Sequence, residues 1–141
     1  MPWPPVVAVA EPRHRIDPEG RPYAPEGLEV RQQVTAAHLA ALDLRIGTVT
    51  DVAPFPAARD PAYQVSVDFG PVVGVLRTSA KITNYDPDAL RGRQVVGAIN
   101  LGSRRIAGFE SQFLLLGGLT PEGTVHLLAP DAPLPDGAPV A

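Results

Sequence analysis

The distance between two apolar stretches constrains this chain more than any other feature. Residues 72–77 and 94–100 both read as β-strands. The segment between them, residues 79–91, is too short for a full strand–helix–strand crossover yet long enough for a small helix. Asp86 is placed to cap such a helix, Pro87 to occupy its first position and Gly92 to stand just past its end, which is the order expected of one or two turns.

The remaining strands follow from alternation. Leu42, Leu44 and Ile46 alternate with Asp43 and Arg45, as in a half-buried strand. After Gly47 the apolar parity slips by one, to Val49, so a bulge is expected at that glycine. Residues 54–61, with three prolines, cannot continue a ladder and form the first long loop. Tyr63, Val65, Val67 and Phe69 alternate with Gln64, Ser66 and Asp68 to give strand two, Gly70-Pro71 is a turn, and residues 72–77 are strand three. Strand four is expected at 94–100 and strand five at 112–117, where the run from Phe113 to Leu116 reads as buried on both faces. A further strand at 125–128 precedes a tail carrying Pro130, Pro133, Pro135 and Pro139. Thr35 is placed to cap a short Ala-rich helical turn through Ala41. An all-β chain of five strands, the first bent and a short helix between the third and fourth, has the order of a Greek-key OB-fold barrel, here with an additional C-terminal strand. The loops that bind nucleic acid in that fold join strands one and two and strands four and five. They correspond to residues 54–62 and 100–111.

A chain of 141 residues, 45% of them hydrophobic, fits one core. The expected division is a Pro-rich N-terminal arm at 1–34, which holds seven of the seventeen prolines, and an OB-fold domain at 35–141. Residues 6–9 are expected to pack on the domain as an edge strand; they lack the basic flank and the length of a signal peptide. No stretch approaches a transmembrane helix, so no membrane insertion is expected. The absence of cysteine excludes disulfides and thiolate metal sites and fits a cytoplasmic location.

A formal charge of -3 argues against polyanion binding over the whole surface, so any nucleic-acid function must come from a local patch. One exists. Between Arg77 and Arg105 stand six basic residues (Arg77, Lys81, Arg91, Arg93, Arg104, Arg105) against Asp86 and Asp88. Arg91 and Arg93 are explained by the end of the small helix. Arg104-Arg105, on the loop before strand five, suits a phosphate backbone; the alternative is a plain hairpin whose arginines are solvated.

Several motifs together carry a family resemblance. Asp43-Leu44-Arg45-Ile46-Gly47-Thr48-Val49, Ala58-Arg59, Pro61-Ala62-Tyr63, Asp68-Phe69-Gly70, Thr78-Ser79-Ala80-Lys81-Ile82-Thr83, Arg104-Arg105-Ile106-Ala107-Gly108-Phe109 and Ser111-Gln112-Phe113-Leu114 stand in order over residues 40–141. This set resembles the CsaA-type members of the tRNA-binding OB-fold family. The resemblance implies a homodimer that binds the outer corner of tRNA, and it implies as an alternative an export-related chaperone that binds unfolded preproteins. The chain departs from the family pattern at Lys81, at Gln112, at Asn100-Leu101-Gly102-Ser103 and at Glu110.

Enzymatic chemistry has little support. His14, His38 and His126 are scattered without metal-ligand spacing, and Ser111 with His126 lacks the context of a nucleophile elbow. No cofactor or metal is expected. The expected nucleic-acid-binding residues are Arg77, Ser79, Lys81, Arg104, Arg105, Phe109, Ser111 and Gln112. The arginines would contact phosphate, Ser79 and Ser111 would act as neutral donors, and Phe109 would stack on a base. Tyr63 and Phe69 are further aromatic candidates for stacking; Phe69 continues the inward alternation and reads as core, and Tyr63 is open to either reading. For the chaperone alternative, the expected exposed apolar surface is Phe55, Ile82, Leu101 and Phe109.

Overall fold

The computed structural model describes residues 23–141. Its longest strand, β1 (Leu44–Pro54), carries partners along both halves. Its first half pairs antiparallel with β4 (Gln94–Ala98), from Leu44 opposite Ala98 to Thr48 opposite Gln94. Its second half pairs with β2 (Tyr63–Asp68), ending at Pro54 opposite Tyr63. The change of partner coincides with a register shift between Val49 and Asp51. The bulge therefore falls at Thr50, three residues beyond the expected glycine. Gly47 has a different task. A Cβ there would lie 2.6 Å from Val67 Cγ1 and 2.7 Å from Phe69 Cδ1, so the glycine admits the core rather than bending the strand.

β3 (Val75–Ala80) pairs with β2, and β7 (Leu114–Leu115) pairs with β4, giving the order β3-β2-β1-β4-β7. The two ends of this sheet meet. Gln112 N donates to Arg77 O (2.8 Å) and Thr78 Oγ1 to Phe113 O (2.7 Å). The result is a nearly closed, five-stranded antiparallel OB-like barrel, which the alternation had indicated.

Three segments differ from expectation. The run expected as strand three begins instead in a helical turn, α2 (Gly70–Val73), closed by Gly74 at φ 79. The strand starts only at Val75. Strand four ends at Ala98, and strand five contracts to the two residues of β7, because Gly117 turns into a separate hairpin of β8 (Gly117–Leu119) and β9 (Val125–Leu127). The expected extra strand is thus half of a hairpin. The expected loop before strand five contains a hairpin of its own, β5 (Arg104–Ile106) and β6 (Phe109–Ser111). Both expected helices are present. α1 (Ala36–Ala40) is capped by Thr35 with His38 in a capping box. In α3 (Pro87–Leu90), the Asp86 carboxylate accepts from Asp88 N at 2.8 Å.

Val49, Val65, Val67, Leu90, Val95 and Phe69 fill the interior. Phe69 meets Phe113 edge-on, ring centroids 5.0 Å apart. Gly97 makes room for that pair, since a Cβ would stand 2.7 Å from Phe69 Cζ. The C-terminal tail runs back along the free edge of β1. Gly137 N donates to Ile46 O (2.7 Å), Ile46 N to Ala138 O (2.9 Å) and Val140 N to Leu44 O (3.0 Å). At the other end of the described chain, Tyr23 holds the hairpin, its hydroxyl donating to Leu119 O (2.6 Å). The strand expected at 6–9 lies outside the described residues. Among the described residues, no helix is long and apolar enough to cross a membrane.

Candidate nucleic-acid interface

The β5–β6 hairpin separates the two adjacent arginines. Neighbouring residues on a strand face opposite sides, while directly opposed residues on paired strands share one. Arg104 opposite Ser111 and Ile106 opposite Phe109 therefore share the face turned to the barrel, and Arg105 opposite Glu110 takes the other. Arg105 turns back on its own hairpin, donating from Nη1 to Gly108 O at 3.0 Å. The hairpin's two-residue turn holds both members in the left-handed region, Ala107 at φ 49 and Gly108 at φ 81.

Hydroxyl groups lock this hairpin to β3. Thr78, 2% exposed, spends its one proton on Phe113 O. Ser111 Oγ, 2.8 Å from Thr78 Oγ1, must then donate to it, and it accepts from Ser79 N at 3.2 Å. Ser111 consequently has no proton left for a ligand, and its expected role as a phosphate donor gives way to a structural one. Gln112 is engaged likewise, its Oε1 accepting from Arg77 N at 2.9 Å.

The loop joining β1 and β2 forms the facing wall. Phe55 and Ala62 pack with Phe109, with Ala58 and Ile106 against them, so the two long loops share a small apolar core. Phe55 and Phe109 ring centroids lie 5.4 Å apart, and the Arg77 guanidinium sits 4.9 Å over the Phe109 ring. Phe109 is 7% exposed, which removes the exposed base-stacking platform expected from its loop position: the hairpin turns the ring inward. Phe55 and Ile82 are buried as well, and of the four apolar residues expected at the surface Leu101 alone is exposed.

Between these walls lies a cleft of about 510 Å³. Arg59, Lys81 and Arg104 line it with one carboxylate, Asp60, along with Ser79, Leu101, Ile106, Phe113 and Leu114. Lys81 Nζ is 2.8 Å from Asp60 Oδ2, and this hydrogen bond, reinforced by the charge of Lys81, holds the Asp60 pKa below its ordinary value. Arg104 makes no ion pair among the described residues. Thus Ser79, Lys81, Arg104 and Ser111 of the expected set converge on the cleft, whereas Arg77 and Arg105 stand off it. Arg59, Ile106 and Leu114 were not anticipated; the position of Arg59 in the first long loop was the available signal. Arg91 is engaged elsewhere, with Asp88 at 2.5 Å and Val52 O at 3.0 Å.

Comparison with known proteins places this geometry. The crystal structure of the chaperone CsaA from Bacillus anthracis str. Ames superposes with a TM-score of 0.74 at 41% identity, covering 78% of this chain and 100% of that one. The CsaA chaperone protein of Picrophilus torridus does so with a TM-score of 0.73 at 35% identity, covering 77% and 100%. The methionine–tRNA ligase of Pyrococcus furiosus is 36% identical over 115 residues, which are 82% of this chain but 16% of the ligase. That of Flavobacterium johnsoniae is 33% identical over 101 residues, 72% of this chain and 14% of the ligase. The chain thus spans a small fraction of the ligases it matches. Residues 44–139, from the start of β1 into the C-terminal tail, match the family described as "Putative tRNA binding domain", and the chain belongs to that family.

Proposed function

We propose that this protein is a non-catalytic, cytoplasmic tRNA-binding module that acts as a homodimer and grips the RNA backbone at the cleft between residues 54–62 and the β5–β6 hairpin. Family membership supports the ligand. The observation that carries the site is Arg104, a cation on the cleft held by a hydrogen-bonded hairpin and not neutralised by any carboxylate among the described residues. A phosphate contact of this kind releases counterions. Arg104→Ala is therefore expected to flatten the log–log salt dependence of tRNA binding by roughly 0.7 to 0.9 per protomer, with different tRNAs weakened alike. Arg105→Ala, on the opposite face, is expected to change it less. Mobility shifts with total tRNA over a range of salt concentrations measure both, and an unchanged slope in Arg104→Ala would overturn the assignment.

Apolar surface beyond the barrel, at Leu119, Leu128 and Leu134, supports the dimer, because a two-fold partner would cover it. Light scattering at micromolar concentration is expected to give twice the 14.9 kDa chain mass; a monomer would contradict it. A second reading, an export-related chaperone of unfolded preproteins, draws on the likeness to the CsaA structures and on exposed Leu101 and Leu114. Suppression of aggregation of a denatured substrate without competition from tRNA would favour it.

A further inference from the structure

We infer that the cleft is a receptor for one unstacked nucleobase, so that the ligand region is an unpaired nucleotide of the RNA rather than a stretch of regular helix. This rests on the RNA-binding reading above. Contact with backbone alone would be served by cations on an open surface. Here the cations share a hollow with the apolar side chains Leu101, Ile106, Phe113 and Leu114 and with the hydroxyl residues Thr78, Ser79 and Ser111. Leu101 and Leu114 are 54% and 53% exposed. A planar base slotted between aliphatic side chains would cover them.

The charged groups that line the cleft favour a nucleotide over an apolar peptide. Arg104 stands opposite Ser111 on the hairpin, and the Ser111 hydroxyl accepts from Ser79 N. Two residues on from Ser79 comes Lys81, bound to Asp60, and Arg59 adjoins Asp60. The cleft thus gathers three cations and one anion beside two half-exposed leucines, a combination complementary to a phosphate and a base together. Stacking on the face of an aromatic is closed off at both phenylalanines near the cleft: Phe109, 7% exposed, packs on Phe55 and under the Arg77 guanidinium, and Phe113, 5% exposed, packs edge-on with Phe69. The aliphatic walls, with the Ser79 hydroxyl at their edge, take over the base-holding role.

The test uses the full chain, total tRNA, and two short single-stranded oligoribonucleotides that differ only in a central abasic position. The intact oligonucleotide is expected to compete with tRNA about tenfold better than its abasic twin, the scale of holding one base. The double change Leu101→Ser with Leu114→Ser is expected to weaken tRNA binding about tenfold without altering the salt slope, the converse of Arg104→Ala. Both leucines are half exposed, so the variant is expected to melt with the parent; the abasic comparison needs no variant at all. Equal competition by the two oligonucleotides would overturn the inference. So would parental tRNA affinity in the leucine variant, or displacement of the oligonucleotide by an acidic apolar peptide at lower concentration. If the parent protein bound no tRNA at any salt concentration, the RNA-binding reading itself would fail instead.

Discussion

The two walls of the cleft are fastened to the barrel by opposite kinds of chemistry. The β5–β6 hairpin is joined to β3 by a hydroxyl relay through Thr78 and Ser111, with Thr78 2% exposed. The loop at 54–62, besides the apolar contacts of Phe55 and Ala62 with Phe109, has as its polar tie to the end of β3 the pair of Lys81 and Asp60, whose side chains are 67% and 49% exposed. A buried hydrogen bond keeps its strength whatever the solvent holds, whereas an exposed ion pair is weak and screened by salt. One wall therefore presents Arg104 from a fixed position. The other holds Lys81 in an exposed pair with the Asp60 carboxylate.

The largest effect is expected from removing the relay. Thr78→Val keeps the shape but leaves the Phe113 carbonyl and the Ser111 hydroxyl without their buried partner, at a cost of about 1–3 kcal/mol. Urea unfolding would show this as a lower midpoint at unchanged slope; a midpoint equal to the parent's would mean the two walls are fastened no differently. On the other wall, Asp60→Asn should leave the unfolding midpoint where it was and act on binding instead. With Lys81 released, the salt slope for tRNA should steepen by up to roughly 0.7 to 0.9 and affinity should rise. A weaker complex would show that Asp60 serves the ligand rather than competing with it.

A smaller gain in stability is expected at the hairpin tip. Ala107 holds φ 49, a conformation that costs an ordinary L-residue, and asparagine tolerates it better. Ala107→Asn should stabilise the protein by up to about 1 kcal/mol, read as a higher melting temperature. Least of all is expected from acid. Lys81 lowers the Asp60 pKa below 3.8, so whatever the pair contributes is complete above that value and is lost as pH falls through the lower folded pKa. Melting curves of the parent and Asp60→Asn should therefore coincide in strong acid and differ, if at all, only above it.

Much of the barrel was legible because its signals are local. Val65, Val67 and Phe69 alternate without interruption, and Asp86, Pro87 and Gly92 punctuate a helix at both ends. What was hidden depended on distant partners. Gly47 reads as a parity slip in sequence, but its reason lies in the Phe69 ring, which reaches it only once β2 is paired. Residues 72–76 are apolar enough for a strand, yet Gly70 and Gly74 at positive φ wrap the first of them into a turn and leave Val72 90% exposed. The hairpin at 104–111 was obscured because Ala-Gly is a poor advertisement for a tight turn, and its strands are three residues each. That hairpin decides the site, since it divides Arg104 from Arg105 and turns Phe109 inward. A charged pair in a sequence says that cations are close along the chain; only pairing across the hairpin says which of them faces the cleft.

The tail that lies along β1 also bears on how the protein is made. Leu44 and Ile46 wait for partners at residues 137–140, so the first strand of the barrel keeps an open edge while almost the whole of the chain behind it is synthesised. Joining points so far apart in sequence delays closure, and an unpaired edge is an invitation to other strands in the meantime. A nascent chain halted before residue 137 would carry every residue of the cleft and still present a strand that residues 137–140 would otherwise cover.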